Sequence, residues 1–136
     1  MENHVLVTGG AGYVGSHTVV ALLESGYKVI VLDNFSNSQE AAIDGVERIC
    51  GQRPDLIRGD TGDPELLKSI FMDYEIASVF HFSGLKSVEE SFEKPLRYYK
   101  QNIGASLTLL EAMREAQVQS IVFSSSATVY DPLKEQ

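Results

Sequence analysis

Three glycines near the start of the chain constrain its fold more than any other feature. Gly9, Gly12 and Gly15 follow an apolar segment, residues 4–8, in the run Thr-Gly-Gly-Ala-Gly-Tyr-Val-Gly. This spacing predicts a strand that turns directly into a helix. The first glycine permits the tight turn, the second lets the backbone approach a ligand without an intervening Cβ, and the third lets the helix pack closely on the sheet. The free amide groups of the first helical turn then form a site for an anion such as a pyrophosphate.

A carboxylate follows in the position that a dinucleotide site requires. Asp33 lies roughly 20 residues after Gly15, at the end of the next predicted strand, where an acidic side chain can accept hydrogen bonds from an adenosine ribose. Such an acid favours the free 2′-hydroxyl of NAD and repels the 2′-phosphate of NADP. Asp33 could instead be a solvated loop residue, but the strand, glycines, helix and acid occur in register. Asp60 also follows a predicted strand, and on its own it could equally be an N-cap or turn residue.

Short apolar runs alternate with longer segments of helical periodicity, which is typical of successive βαβ units with a parallel sheet. The predicted strands are residues 4–8, 28–33, 56–59, 78–82 and 120–124, and the predicted helices are residues 12–25, 40–50, 64–74 and 95–116. Each strand is apolar at successive positions, as expected for strands that are covered on both faces. We therefore predict an α/β fold: a Rossmann-type, doubly wound parallel sheet of five strands in the order 3-2-1-4-5, incomplete at the edge of the fifth strand.

The last predicted helix carries apolar residues at steps of three and four. Such a stripe marks one face of a helix, and we expect it to lie on the sheet. The residues of this stripe are Leu96, Tyr99, Ile103, Leu107, Leu110 and Met113.

The composition excludes several classes of protein. The 136 residues suit one domain, and 19 acidic against 11 basic side chains give a net charge of −8 that repels nucleic acid and anionic membranes. No apolar run could span a bilayer and no secretory signal is evident, so we expect a cytoplasmic protein. Cys50 is the single cysteine, which leaves no disulfide scaffold and no metal site and suggests an inert thiol. His81, inside a predicted strand, is interpreted as a packed histidine rather than as a base or a ligand.

Four segments together resemble a known family. They are residues 8–17, residues 32–38 (Leu-Asp-Asn-Phe-Ser-Asn-Ser), residues 81–88 (His-Phe-Ser-Gly-Leu-Lys-Ser-Val) and residues 123–130 (Phe-Ser-Ser-Ser-Ala-Thr-Val-Tyr). In them the chain resembles the UDP-glucose 4-epimerases, which are extended short-chain dehydrogenases/reductases, over residues 5–130. Sugar-nucleotide dehydratases share the glycine loop, but their third and fourth segments normally read differently.

The resemblance implies NAD as the cofactor and UDP-glucose or UDP-galactose as the substrate. Enzymes of that family take hydride from C4 of the hexose and return it to the other face of the 4-keto sugar. The residues that match the family's NAD-binding pattern are Gly9, Gly12, Tyr13, Val14, Gly15, Asp33, Asn34, Phe35, Ser36, Asn37, Ser38, Asp60, Thr61, Phe82, Ser83, Gly84, Lys86 and Gln101.

The same resemblance implies part of a catalytic group. Ser126 corresponds to the hydrogen-bonding serine, and Lys86 lies in the loop beside the nicotinamide half of NAD. The family's base is the tyrosine of a Tyr-x-x-x-Lys pair on the helix after the fifth strand, and we expect that helix to lie beyond the present chain. Tyr130 and Lys134 match the pattern formally, but Pro132 interrupts it and we interpret the match as coincidence.

We therefore expect residues 1–136 to be the NAD-binding, amino-terminal portion of such an epimerase, without its substrate domain and nearly inactive alone. The full-length protein would be a homodimer that pairs through the helix at residues 95–116. Gln101 stands where the family commonly has Asn, and the preferred hexose or N-acetylhexosamine stays open. Two alternatives also remain: a non-catalytic NAD- or nucleotide-binding module, and a related sugar-nucleotide dehydratase or reductase.

Overall fold

Five parallel strands form the sheet of the protein, whose computed structural model describes residues 4–126. The strands lie side by side in the order β3-β2-β1-β4-β5, and every neighbouring pair is parallel. This arrangement confirms the predicted α/β fold and strand order. β1 and β2 have the predicted bounds, and the ends of the other three strands differ from the predicted ones by at most two residues. The strands are β1 (His4–Thr8), β2 (Lys28–Asp33), β3 (Asp55–Arg58), β4 (Ile76–His81) and β5 (Ser120–Phe123).

The helices between the strands depart from the prediction in one region. The predicted helix at residues 95–116 is divided, because a π-helical turn separates its first turn from the remainder. A short helix before it was not predicted. The elements are α1 (Tyr13–Glu24), α2 (Ala41–Cys50), α3 (Pro64–Asp73), α4 (Val88–Glu93), α5 (Pro95–Tyr98), the π-helical turn Tyr99–Gly104 and α6 (Ala105–Glu115). None of the helices among residues 4–126 is long and apolar enough to cross a membrane.

Local sequence explains several helix ends. Gly26, just past α1, has φ +83 and therefore occupies the left-handed region that favours glycine. Asp63 precedes α3, and its carboxylate accepts hydrogen bonds from the amides of Glu65 and Leu66, while Pro64 occupies the first helical position. Both features agree with the sequence pattern.

Two hydrophobic clusters cover the two faces of the central strands. Alternate residues of β1 and β2 point to opposite faces, so Val5 and Val29 join one cluster whereas Leu6 and Ile30 join the other. The first cluster also contains residues of α1 and α2, and the second contains residues of α3 and α6. The sheet is therefore doubly wound, and the carboxyl ends of its strands meet at one edge between the two helical layers.

The predicted apolar stripe of the last helix does not lie on the sheet. Of its six residues only Met113 is buried, and the other five are between 47% and 82% exposed. The buried face of α6 consists instead of Ala105, Leu109 and Met113. Periodicity shows which residues share a helix face, but not which neighbour that face meets. All of β5 is exposed as well, so the prediction that every strand is covered on both faces is wrong for this edge strand.

Candidate functional site

A cleft of about 540 Å³ lies at the carboxyl edge of the sheet. The segments that follow β1, β2, β3 and β4 line it, together with part of the chain from α5 to the start of α6. Of the residues predicted to bind the cofactor, all but one line this cleft: Gly9, Gly12, Tyr13, Val14, Gly15, Asp33, Asn34, Ser36, Asn37, Ser38, Asp60, Thr61, Phe82, Ser83, Gly84, Lys86 and Gln101.

The glycine loop forms one wall as bare backbone. Gly9 has φ +69, and a Cβ there would lie 2.7 Å from the amide nitrogen of Ser83. A Cβ on Gly15 would lie 2.2 Å from the carbonyl oxygen of Gly9. This glycine therefore lets α1 pack closely on the glycine turn itself, whereas the sequence pattern predicted close packing on the sheet. Gly12 is the N-cap of α1, and no side chain caps the helix. The first-turn amides at the cleft therefore fit the phosphate groups of a dinucleotide.

Asp33 links the glycine loop to the loop after β2. One carboxylate oxygen accepts a hydrogen bond from the amide of Ala11 at 3.0 Å. The other accepts from the amide of Phe35 at 2.8 Å and from the hydroxyl of Ser38 at 3.0 Å. The side chain is only 8% exposed, and these three bonds leave roughly one of its four acceptor positions for a ligand hydroxyl.

Two further contacts join the loops after β2, β3 and β4. The Asn34 side-chain amide donates to the carboxylate of Asp60 at 3.3 Å, and the same carboxylate accepts from the amide of Gly62 at 2.7 Å. The hydroxyls of Thr61 and Ser83 lie 3.0 Å apart. The Asp33 end of the cleft is thus a connected set of acceptors and donors, suited to a ribose and a base.

Phe35 is the one predicted cofactor residue that does not line the cleft. Its backbone has φ 55, and its ring packs against the first hydrophobic cluster. The guanidinium carbon of Arg58 lies 4.9 Å from the ring centroid. This side chain therefore supports the loop from behind instead of facing a ligand.

The Lys86 end of the cleft is shaped by a clamp that the sequence did not reveal. The side chain of Asn102, in the π-helical turn, accepts from the amide of Leu85 at 2.7 Å and donates to its carbonyl oxygen at 2.9 Å. Gly84 passes beside the same amide group with φ +148. Because both bonds hold the backbone next to Lys86, the clamp fixes where that exposed lysine enters the cleft.

A second cluster holds the following helix in place. The Tyr98 hydroxyl accepts from the amide of Ser87 at 3.1 Å and donates to the carboxylate of Glu90 at 3.1 Å. Glu90 also pairs with Arg97 and, at 3.8 Å, with Lys94. Ser87 and Glu90 have the spacing of a helix N-cap and its third residue, which was the available sequence signal for α4. Arg97 and Tyr98 carried no such signal.

His81 is the buried titratable group beneath the cleft, with 3% of its surface exposed. Its Nδ1 lies 2.7 Å from the hydroxyl of Thr8, and its Nε2 lies 2.8 Å from the hydroxyl of Ser106. Burial lowers the pKa of the imidazole below its ordinary value of 6.5. The ring is thus neutral at pH 7, and the interpretation of His81 as a packed histidine agrees with this setting.

We expect the free energy of unfolding to fall as pH is lowered from 7 to 5, with His81 responsible for part of the fall. The folded protein holds the ring neutral whereas the unfolded chain protonates it near pH 6.5, so protons stabilise the unfolded state below that pH by about 1.4 kcal/mol per unit of pKa difference. Urea unfolding of the wild type and of His81→Gln at both pH values measures this. His17→Gln, at an exposed position, is the control. An undiminished pH dependence in His81→Gln would contradict the expectation.

Other predicted residues lie outside the cleft or outside the described residues. Ser126 is exposed beyond the end of β5 and is not among the residues that line the cleft. Tyr130 and Lys134 lie outside the described residues. Between residues 4 and 126, no group of three or more His, Cys, Asp or Glu side chains could hold a metal ion. Burial and the Glu24 carboxylate raise the pKa of the Cys50 thiol, which keeps it in the unreactive form.

The fold and the cleft together define a Rossmann-type nucleotide-binding domain. The chain belongs to the NAD dependent epimerase/dehydratase family, whose profile matches residues 5–136. The resemblance drawn from the four sequence segments is therefore confirmed.

Individual relatives agree with this assignment. The chain is 55% identical over 126 residues to a UDP-glucose 4-epimerase of Yersinia enterocolitica, a match that covers 93% of this chain and 38% of that protein. Among solved structures, a UDP-glucose-4-epimerase from Stenotrophomonas maltophila with bound NAD and formylated UDP-arabinopyranose has a TM-score of 0.92 at 43% identity, over 99% of this chain and 40% of that one. The UDP-glucose 4-epimerase from Bifidobacterium longum in complex with NAD+ and UDP also has a TM-score of 0.92, at 46% identity, over 98% of this chain and 40% of that one. The chain thus spans about two fifths of the length of these relatives.

Proposed function

We propose that this chain is the NAD-binding portion of a UDP-glucose 4-epimerase. The observation that carries the proposal is the pairing, in one cleft, of an uncapped helix start at Gly12 with the buried carboxylate of Asp33. The relatives named above are UDP-glucose 4-epimerases, and two of them were crystallised with NAD. The proposed substrates are UDP-glucose and UDP-galactose.

Each part of the cleft has a separate task in this proposal. The amides at the start of α1 hold the pyrophosphate, and Asp33 accepts a hydrogen bond from the adenosine ribose. Asp60 and Thr61 border the adenine side, while the segment from Phe82 to Lys86 borders the nicotinamide side. When bound, NAD supplies the hydride acceptor for C4 of the hexose and returns the hydride afterwards. The chain's own residues bind and orient the two halves of the cofactor.

Turnover by the full-length protein that carries this sequence tests the proposal. Interconversion of UDP-galactose and UDP-glucose without net consumption of NAD is the expected result. NAD binding without turnover would instead favour a non-catalytic module, and formation of a dehydrated 4-keto sugar from a UDP- or dTDP-sugar would favour a dehydratase. The 136-residue chain alone is expected to be inactive or nearly so, since positioning and proton transfer each contribute orders of magnitude to a rate.

Ser126 provides a residue-level test of the same activity. In this proposal its hydroxyl donates a hydrogen bond to the oxygen on C4 as negative charge develops there. Removal of one such bond costs about 1.5–3 kcal/mol, so Ser126→Ala should lower kcat roughly 10- to 100-fold in the full-length protein. Ser125→Ala, one residue earlier, is the matched control and should retain turnover. Full activity in Ser126→Ala would remove the serine from the mechanism.

We also propose that the exposed apolar face that runs from Leu96 to Leu110 pairs with a second copy of the full-length protein. Leu96, Tyr99, Ile103, Leu107 and Leu110 are each at least 47% exposed. Several exposed apolar side chains along one helical segment are typical of an interface. The homodimer expected from the family resemblance would use this face.

A further inference from the structure

The imidazole ring of His81, the last residue of β4, contacts the hydroxyl of Thr8, the last residue of the neighbouring strand β1. Thr8 and His81 are register partners, and their side chains meet on the face of the sheet that α6 covers. On the other side of the ring, Nε2 contacts Ser106 in the first turn of α6 at 2.8 Å. The ring therefore connects β1 and β4 to α6 directly beneath the cleft.

The hydrogen-bond pattern fixes the position of the ring proton. The Ser106 hydroxyl lies 2.5 Å from the carbonyl oxygen of Asn102 and must donate to it, because a carbonyl can only accept. Ser106 can then only accept from His81, so Nε2 carries the hydrogen. Nδ1 of the neutral ring accepts from the Thr8 hydroxyl at 2.7 Å. Thr8 in turn accepts a long contact, 3.5 Å, from the amide of Ser83, which is consistent with this assignment.

On the strand side, the network reaches residues that line the middle of the cleft. The Ser83 hydroxyl lies 3.4 Å from Nδ1 of His81 and 3.0 Å from the hydroxyl of Thr61. The backbone of Ser83 lies directly against Gly9, where a Cβ would approach its nitrogen to 2.7 Å. The position of Ser83 thus sets the space between the glycine turn and the segment after β4.

On the helix side, the network reaches the Lys86 loop. Ser106 holds the backbone of Asn102, whose side chain clamps the backbone of Leu85 by two hydrogen bonds. Gln101 and Ala105, which border these residues, line the cleft. A displacement of Ser106 would therefore move the Lys86 end of the cleft relative to the glycine turn.

We propose that His81, as its neutral Nε2–H tautomer, is a positioning residue that sets the spacing between the glycine turn and the Lys86 loop. The inference rests on the proposed function, because the spacing matters for a ligand that bridges both ends of the cleft. NAD is such a ligand. AMP lacks the nicotinamide half: its adenosine would lie at the end formed by Asp33 and Asp60 and its phosphate at the start of α1, so it should not respond to the position of the Lys86 loop.

Calorimetric titration of the full-length protein that carries this sequence, with NAD and with AMP, tests this role. Ser106→Ala removes the acceptor of the Nε2 hydrogen without changing His81 itself, and should weaken NAD binding about tenfold while AMP binding stays within about twofold. Thr8→Val, which is nearly isosteric, should act in the same direction. Thr108→Ala, which removes another α6 hydroxyl bonded to a carbonyl one turn back, is the matched control and should change neither.

Three outcomes of the titrations would overturn the proposal, and they can be told apart. Equal losses of NAD and AMP affinity in Ser106→Ala, or no loss of either, would reduce His81 to a structural role alone. A full-length wild-type protein that bound neither nucleotide would remove the proposed function and the positioning role with it.

Nitrogen-15 NMR of the histidine rings provides a test that needs no variant and no ligand. At pH 7 the His81 ring should show a protonated Nε2 and an unprotonated Nδ1. A protonated Nδ1, in either the other tautomer or the imidazolium, would contradict the assigned network and overturn the proposal.

Discussion

Gly15→Ala is expected to abolish useful nucleotide binding, raising the Kd for NAD at least about 100-fold. The added Cβ would lie 2.2 Å from the carbonyl oxygen of Gly9 and 2.9 Å from the Cα of Gly10, and both neighbours are backbone atoms. Since Gly15 is buried in α1, relief of the clash requires the turn and the helix start to separate. The first-turn amides would then leave the wall of the cleft, and the overpacking itself would destabilise the fold by about 1–3 kcal/mol.

Gly45→Ala is the matched control for this substitution. Gly45 also lies inside a helix, α2, but a Cβ there would meet nothing within 4 Å. Alanine should therefore stabilise the protein by about 0.5–1 kcal/mol and leave NAD binding unchanged. Calorimetric titration and thermal unfolding of both variants measure the contrast. Wild-type affinity in Gly15→Ala would show that the tight packing of α1 on the turn is not needed for binding.

The sequence predicts the features that short stretches of chain determine. The strands follow from apolar runs of four to six residues, and their order is the one expected for the Rossmann-type fold that the glycine loop indicates. The places of Gly9 and Asp33 at the cleft also follow, because each is defined by its distance from the end of a strand. The sequence does not show what these residues meet. That Asp33 accepts from Ala11, and that Gly15 contacts the oxygen of Gly9, depend on the folded turn.

The remaining features depend on contacts between distant segments. The π-helical turn places Asn102 against Leu85, and the extra residue in that turn has no signature in the apolar spacing. His81 meets Thr8, 73 positions away, and Ser106, 25 positions away. A sequence read one element at a time cannot give such pairings. By contrast, α4 could have been predicted from the cap pattern at Ser87 and Glu90.

Asp33→Ala should also weaken NAD binding, by about 10- to 100-fold. In the proposed site the remaining acceptor position of the carboxylate takes a hydrogen bond from the adenosine ribose, and this charge-assisted bond of about 1.5–3 kcal/mol would be lost. The variant also deprives the amides of Ala11 and Phe35 of their acceptor, which should destabilise the fold by about 1–3 kcal/mol. Asp44→Ala, which removes an exposed acid from α2, controls for the change in net charge and should bind NAD normally.

The ratio of the Kd for NADP to the Kd for NAD separates the effect of Asp33 on the ligand from its effect on the fold. A loss of stability lowers both affinities by the same factor and cancels in the ratio, whereas loss of the carboxylate removes a repulsion that acts only on the 2′-phosphate. The wild type should therefore prefer NAD strongly, and Asp33→Ala should bring the ratio close to one. If the ratio stayed at its wild-type value while both affinities fell, Asp33 would act only as the link between the two loops, and the preference for NAD would have to arise elsewhere in the cleft.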